Sequence, residues 1–539
     1  MSDADDHVPG LAEAQRVYLA YIDSGGADAS GLRQAASDYR RALSAMPGGH
    51  PLRLRATANF MACLRVLFVG NGDAALLDEA IDRGRRELAR AGAQAPVPLA
   101  FSMNLAGVLN TRFQRTGNLA DVDGAIGLYR AVVGCGASLR PQECVALMSN
   151  LAFTMRARYE VTGNVADLTE SVELARRAYE AATGHDRLKV AYIVSSILTL
   201  RYRHFGDSDD LTEAQRLATE VVAQAPRSHV ELAGYLAHLA ALERDVFHRT
   251  GDGHARQRAG ALYERLLHML GTAESIRPVV MANWTLMLET ATGVLDPAQW
   301  LKNDVSHRPD LGLVALMLPR LRAAARQAEG TAHQPRALAA LARAHLSLDT
   351  AQQSDNDLWS AVEAATAAVR GTPFDHPDRA QWQVVAAAAL LTRWNRHHRD
   401  ADLEAAGEQL TAAAQNHLAS PAVRIQAAHA LLTVRMATGD IVGADAVSRL
   451  AVGLLPLVTW RGASRPDQEF RLAAAADISR DAAAAALMGG SPTNAVELNE
   501  AGRAVLWTGI LHGRSDLSAV RTASPLLADE LTRVRRALA

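Results

Sequence analysis

The side chains that could do covalent or metal chemistry are few. There are three cysteines, Cys63, Cys135 and Cys144. A catalytic thiol must meet a base in space, and none of the three stands beside a glycine-rich strand end. Their spacing matches neither a disulfide framework nor a CxxC knuckle. Cys63, inside the apolar stretch NFMACLRVLF, reads as a small buried hydrophobe, while Cys135 and Cys144 flank a loop. The metal candidate is the pair His397 and His398 in RWNRHHRDADLE. Adjacent residues on a helix point about 100° apart and do not converge on one ion, so this pair reads as a solvated turn. No P-loop and no strand-led GxGxxG occurs. No catalytic residue, metal ligand or cofactor is therefore assigned, and recognition is the chemistry left to consider.

Two residue types are placed for recognition. Arginines recur along one helix of a repeated pattern, at Arg65, Arg112, Arg156, Arg158, Arg201, Arg203 and Arg244. A guanidinium fork suits acidic peptides or phosphates, yet Asp and Glu are interspersed, which favours ion pairs on ordinary helix faces. Asparagines recur at Asn59, Asn104, Asn150 and Asn283. A side-chain amide donates and accepts at once, so a ladder of them suits either an extended peptide or a bond between neighbouring helices.

Those positions belong to a repeat. NLAFTMRARYEVTGNVADLTESVELARRAYE, residues 150–180, has a near-copy starting at Asn104. Anchoring every copy on the position of Asn150 gives Asn59, Asn104, Asn150, Ile193, His238, Asn283, Ala340, Val385 and Gln426. The intervals are 45, 46, 43, 45, 45, 57, 45 and 41 residues. A second marker keeps a fixed offset from the anchor: Gly72, Gly117, Gly163, Gly206, Gly251 and Gly439 each precede Asn or Asp. Two markers at fixed offset define a solenoid period. In each unit, helix A carries an apolar stripe such as Leu151, Met155 and Tyr159. Glycine ends it in a left-handed conformation. Asp121 or Asp167 is expected to cap helix B, whose stripe is Leu168, Val172, Leu174, Ala175 and Ala178. A lone hairpin cannot bury these faces, so neighbours must stack.

Around Gly26 a first hairpin is expected, and RLAAAADISRDAAAAALMGGSPTNAVELNEAGRAVLW reads as a last one with a Gly-Gly-Ser-Pro turn. Pro297 and Pro309, with the long interval after Asn283, indicate an insertion across residues 293–335. About ten units of roughly 45 residues then account for nearly the whole chain. The expected organisation is a repeat array over 1–462 and a helical cap over 463–539.

Composition excludes other classes. A chain of 539 residues is too long for one compact core, so an elongated array fits. A net charge of −2 gives no bulk attraction to nucleic acid or to a membrane surface. No aromatic and basic pattern supports nucleic-acid binding. MSDADDHVPG lacks the features of a leader, and no apolar run of about 18 residues occurs, so a cytoplasmic protein is expected. All but Lys189 and Lys302 of the 56 basic residues are arginine, a bias of GC-rich bacterial genomes.

The hairpin resembles the tetratricopeptide (TPR) repeat, with its Asn-Leu-Ala start, Gly-Asn turn and Ala-rich second helix; the common TPR unit is shorter, about 34 residues. The resemblance implies an all-α, TPR-like α-solenoid, a right-handed superhelix of antiparallel hairpins. It also implies that Asn59, Asn104, Asn150 and Asn283, with Arg112 and Arg158, face a concave groove that holds a protein or peptide. Near the C-terminus, SRPDQEF (464–470), AVELNEAGRAVLW (495–507) and RSDLSAVRTASPLLADELTRVRRAL (514–538) resemble the segment that joins a TPR array to a caspase-like CHAT peptidase in actinobacterial proteins. In that family a His and a Cys carry catalysis in the domain that follows; no residue here matches a peptidase motif. The expected function is a non-enzymatic scaffold that regulates a linked or associated CHAT peptidase, with oligomerisation open. The alternative is a regulatory arm of a signalling ATPase or transcription regulator.

Overall fold

The computed structural model describes residues 10–23, 31–71, 73–91, 97–134, 139–226, 232–270, 311–330, 334–458, 465–473, 475–505 and 518–537. The described chain is helical with no strand, and it divides into two compact units, Met1–Ile193 and Val194–Ala539.

The first unit contains α1 (Leu11–Asp23), α2 (Leu32–Ala45), α3 (Arg53–Asn71), α4 (Ala74–Ala91), α5 (Leu99–Thr116), α6 (Leu119–Gly134), α7 (Pro141–Thr162) and α8 (Val165–Ala181). Each helix packs on the next, and the A helices also meet directly, α3 with α5 and α5 with α7. Tyr39, Phe60, Met61, Leu64, Ile81, Phe101, Leu105 and Ile126 are buried in one continuous core that no single hairpin could close.

The second unit takes the latter part of α9 (Gly184–Phe205) and then α10 (Ser208–Gln224), α11 (Leu232–Thr250), α12 (Gly253–Leu270), α13 (Leu311–Gln327) and α14 (Gln334–Gln352). It continues with α15 (Asp355–Arg370), α16 (Arg379–His397), α17 (Asp400–Gln415), α18 (Pro421–Ala437) and α19 (Ile441–Leu454). A 3₁₀ turn at Leu455–Val458 leads to α20 (Arg465–Ala473), α21 (Ala476–Met488), α22 (Pro492–Arg503), α23 (Ser518–Ala523) and α24 (Pro525–Ala537). Here alanine does much of the packing. Ala386, Ala387, Ala388 and Ala389 are all buried, so α16 is enclosed on every side. Each unit is thus a stack of helix hairpins, the TPR-like α-solenoid architecture.

The turns follow the expected glycine rule. Gly117, Gly163, Gly206, Gly251 and Gly439 all have φ between 67° and 78°, the left-handed region in which a side chain would be strained. The expected cap is corrected. Asn164, not Asp167, caps α8 by accepting from the Ala166 amide, and Asn118 does the same for the Ala120 amide at the start of α6. The residue after glycine is the first one whose side chain lies over the open amides. Asp121 and Asp167 lie three residues further on and are buried for a different purpose.

The expected terminal hairpins are present: α1 packs on α2, and α21 packs on α22 across the Gly-Gly-Ser-Pro turn. Within the expected insertion, residues 311–327 form α13 with Pro319 inside it. Gly26, Gly72, Cys135, Asn283, Pro297 and Pro309 lie outside the described residues.

Candidate interaction sites

The recurrent arginines of helix A are engaged inside the hairpins. Arg112 Nε and Nη2 donate to Asp121 Oδ2 and Oδ1 at 2.7 and 2.6 Å. Arg158 makes the same fork with Asp167 at 2.8 and 2.5 Å. Arg393 repeats it with Asp402 at 2.8 and 2.6 Å. Arg201 repeats it with Asp210, its Nε donating at 2.6 Å. In every case the partners are nine residues apart and straddle the turn, and the four aspartates are at most 3% exposed. A carboxylate buried that deeply needs a charged partner with full hydrogen bonding, and a planar fork supplies it.

The clasp also reaches the preceding hairpin. Arg112 Nη1 donates to Asp78 of α4 at 2.9 Å, and Arg158 Nη1 to Asp123 of α6 at 2.7 Å. One guanidinium therefore ties together three successive helices. Arg203 and Arg244 both end on Asp245, and Arg156 lies 3.3 Å from Glu160. Of the two sequence alternatives for these arginines, ion pairing is the one the geometry displays.

The anchor asparagines also contact neighbouring helices. Asn104 Nδ2 donates to the Ala58 carbonyl of α3 at 2.9 Å, and Asn59 Nδ2 to the Tyr39 hydroxyl of α2 at 3.2 Å. Asn150 is half-buried on α7, and Asn283 falls outside the described residues. At the anchor position of α11, His238 Nε2 lies 2.8 Å from Ser195 Oγ on α9. Ser195 donates its own proton to the Ala214 carbonyl at 2.7 Å, so the imidazole N–H donates to the hydroxyl. A nucleophilic serine needs the opposite polarity.

Burial pushes the Cys63 thiol up to about 12, which keeps it protonated and inert. Cys144 is half-buried. Among the described residues, no group of three His, Cys, Asp or Glu side chains is placed to hold a metal ion, and no helix is long and apolar enough to cross a membrane. His397 is the last residue of α16, its Nε2 3.2 Å from Asp355 Oδ1. His398 occupies the turn position that glycine takes elsewhere, with φ 50° and ψ 43°.

A further contact had no signal in the local sequence. Asp467, on α20, is 1% exposed and is held by two helix ends far away in the chain. Arg249 Nη2, in the last turn of α11, donates to its Oδ1 at 2.6 Å. The Ser208 amide and hydroxyl, at the first position of α10, donate to its Oδ2 at 3.2 and 3.0 Å. One turn along, the Phe470 ring lies under the same guanidinium, 4.2 Å from Cζ to ring centroid. An α-helix start favours an anion through its free amides and dipole, and Arg249 completes the pairing.

These stacked hairpins define the chain as a TPR-like helical-repeat protein. No protein-family model matches it, and no curated protein matches it. Among solved structures it is similar to a human IFIT1 dimer with PPP-AAAA, at 12% identity over 94% of each chain and a TM-score of 0.44. The human IFIT1 dimer with m7Gppp-AAAA has the same identity and coverage and a TM-score of 0.43. The apo form of the quorum sensor NprR from B. thuringiensis is 9% identical over 84% of this chain and 100% of its own, with a TM-score of 0.43.

Proposed function

We propose that this protein is a non-enzymatic interaction scaffold whose hairpins bind a protein or peptide partner and regulate a linked or associated CHAT-type peptidase in the cytoplasm. The observation that carries the reading is the seating of Asp467 and Phe470 on α10 and α11, since it is an instance of this array holding a short segment through side-chain contacts. Partner contacts are proposed at Asn59, Asn104 and Asn150 of the A helices and at Asn283, while Arg112 and Arg158, expected beside them, are taken up by Asp121 and Asp167. Asn104 spends an amide hydrogen on Ala58, and its amide has further donor and acceptor capacity for a peptide backbone. A protein or peptide is preferred to nucleic acid because Arg112, Arg158, Arg201, Arg203 and Arg244 have carboxylate partners at close range. The peptidase link rests on the resemblance of residues 464–470, 495–507 and 514–538 to the segment that precedes such domains.

The test expresses tagged chain in its native cells and reads the caspase-like peptidase activity retained with it. Asn104→Ala/Asn150→Ala, checked for helicity by circular dichroism, is the comparison. Retained activity that falls with the folded variant supports both the function and the site. Equal retention removes the asparagines from the contact, and no retained peptidase at all overturns the link.

A further inference from the structure

We propose that the N-terminus of α10 and the C-terminus of α11 form a recognition site for an acidic and aromatic segment of the pattern Asp-x-x-Phe. The chain fills this site with its own Asp467 and Phe470, and a partner segment of the same chemistry competes for it. The inference rests on the reading of the array as an interaction scaffold and names one site and its ligand class.

Asp467 is 218 residues from Arg249 and 259 from Ser208, so this contact joins distant parts of the chain. Helix α20 also packs on the 3₁₀ turn Leu455–Val458 that precedes it. The carboxylate is enclosed, with both oxygens used: Oδ1 by Arg249, Oδ2 by the amide and hydroxyl of Ser208. A carboxylate removed from water is costly unless every lone-pair direction of consequence is answered, and here a charge, a backbone amide and a hydroxyl answer it.

The surroundings also say what the site does not select. Asp207 caps α10, and Asp209 and Asp210 lie in its first turn. Asp210 is answered by Arg201, but Asp207 and Asp209 oppose further negative charge beside the seated carboxylate, so extra acidic groups on a ligand gain little. Recognition comes from one carboxylate at one place, followed one helical turn later by an aromatic ring against the Arg249 guanidinium. Asp467 and Phe470 have that spacing on α20. Their exposures differ in a useful way, Asp467 at 1% and Phe470 at 39%. The ring is the accessible edge of the seated segment, where a competing aromatic can enter before the ion pair opens.

The experiment uses a fluorescent peptide of residues 464–473, SRPDQEFRLA, and the full chain in three forms: wild type, Asp467→Asn/Phe470→Ala, and that double variant with Arg249→Gln. Anisotropy titrations should show the double variant binding the peptide about tenfold or more tighter than wild type, whose site is already filled. The gain should disappear with Arg249→Gln and with a peptide carrying Asp467→Asn. Equal binding by wild type and the double variant, binding that survives Arg249→Gln, or no binding by a helical double variant each overturns the proposal. If the double variant loses helicity, hydrogen exchange on the wild-type chain decides. Excess peptide should speed exchange across residues 465–473, whereas unchanged exchange overturns the competition. A chain with Asp467→Asn that still retains its peptidase while binding no peptide leaves the scaffold function standing and removes this site.

Discussion

His398 shows how one position can carry two opposite readings. As a ligand it would need partners at helical spacing; as a turn residue it needs only a tolerable left-handed backbone. The structure gives it φ 50°, a backbone N–H bonded to the Trp394 carbonyl, and the place in the period that Gly117 and Gly163 hold in other units. Left-handed backbone costs a residue with a β-carbon about 1 kcal/mol or more relative to glycine, which also loses more entropy on folding. His398→Gly is therefore expected to raise stability by about 0.5 kcal/mol, seen as a small upward shift of the thermal midpoint. A fall of that midpoint would mean that the imidazole contact with Trp394, ring centroids 6.4 Å apart, outweighs the backbone strain.

At the scale of the helix, the arginine clasp is what registers one hairpin on the next. Arg158 joins α6, α7 and α8, and its partner Asp167 is buried while Asp123 is 57% exposed. Removing the arginine leaves a buried carboxylate without a counter-charge, whereas removing both partners leaves a cavity that apolar side chains can fill. Arg158→Ala is accordingly expected to cost about 3 kcal/mol in urea unfolding. Arg158→Met/Asp167→Leu should return to within about 1 kcal/mol of wild type. Equal losses in the single and double variants would show that shape, not charge pairing, accounts for the single variant's defect. The spacing of nine was present in the sequence at Arg112 and Asp121, Arg158 and Asp167, Arg201 and Asp210, and Arg393 and Asp402. Ion pairing of these arginines is legible in the interspersed acids, but Asp121 and Asp167 read locally as helix caps, which hides that they are the partners.

For the molecule as a whole, stability in a repeat array is a sum over neighbours, so cooperative unfolding need not extend from end to end. The division into Met1–Ile193 and Val194–Ala539 predicts two calorimetric transitions, with a total enthalpy above the van't Hoff value. Arg158→Ala, in the first unit, should lower one transition, and Arg393→Ala, in the second, the other. A single transition lowered alike by both variants would mean that the units unfold as one.

The sequence alone determined the local architecture, because period, turn and amphipathic stripe are all written within one unit of about 45 residues. Glycine at the turn, an Asn or Asp after it, and apolar residues at helical spacing leave a hairpin that must stack on a copy of itself. Only the tertiary structure decided where the polar side chains go. Asn104 meets Ala58 across a helix interface, His238 meets Ser195, and Asp121 is turned inward to Arg112, choices that depend on the distance between helices as well as on residue type. The seat of Asp467 lay furthest from sequence reasoning. A contact spanning 259 residues leaves no mark on any local pattern, because its energy comes from the enclosed carboxylate and the helix ends that meet it, not from its neighbours in the chain.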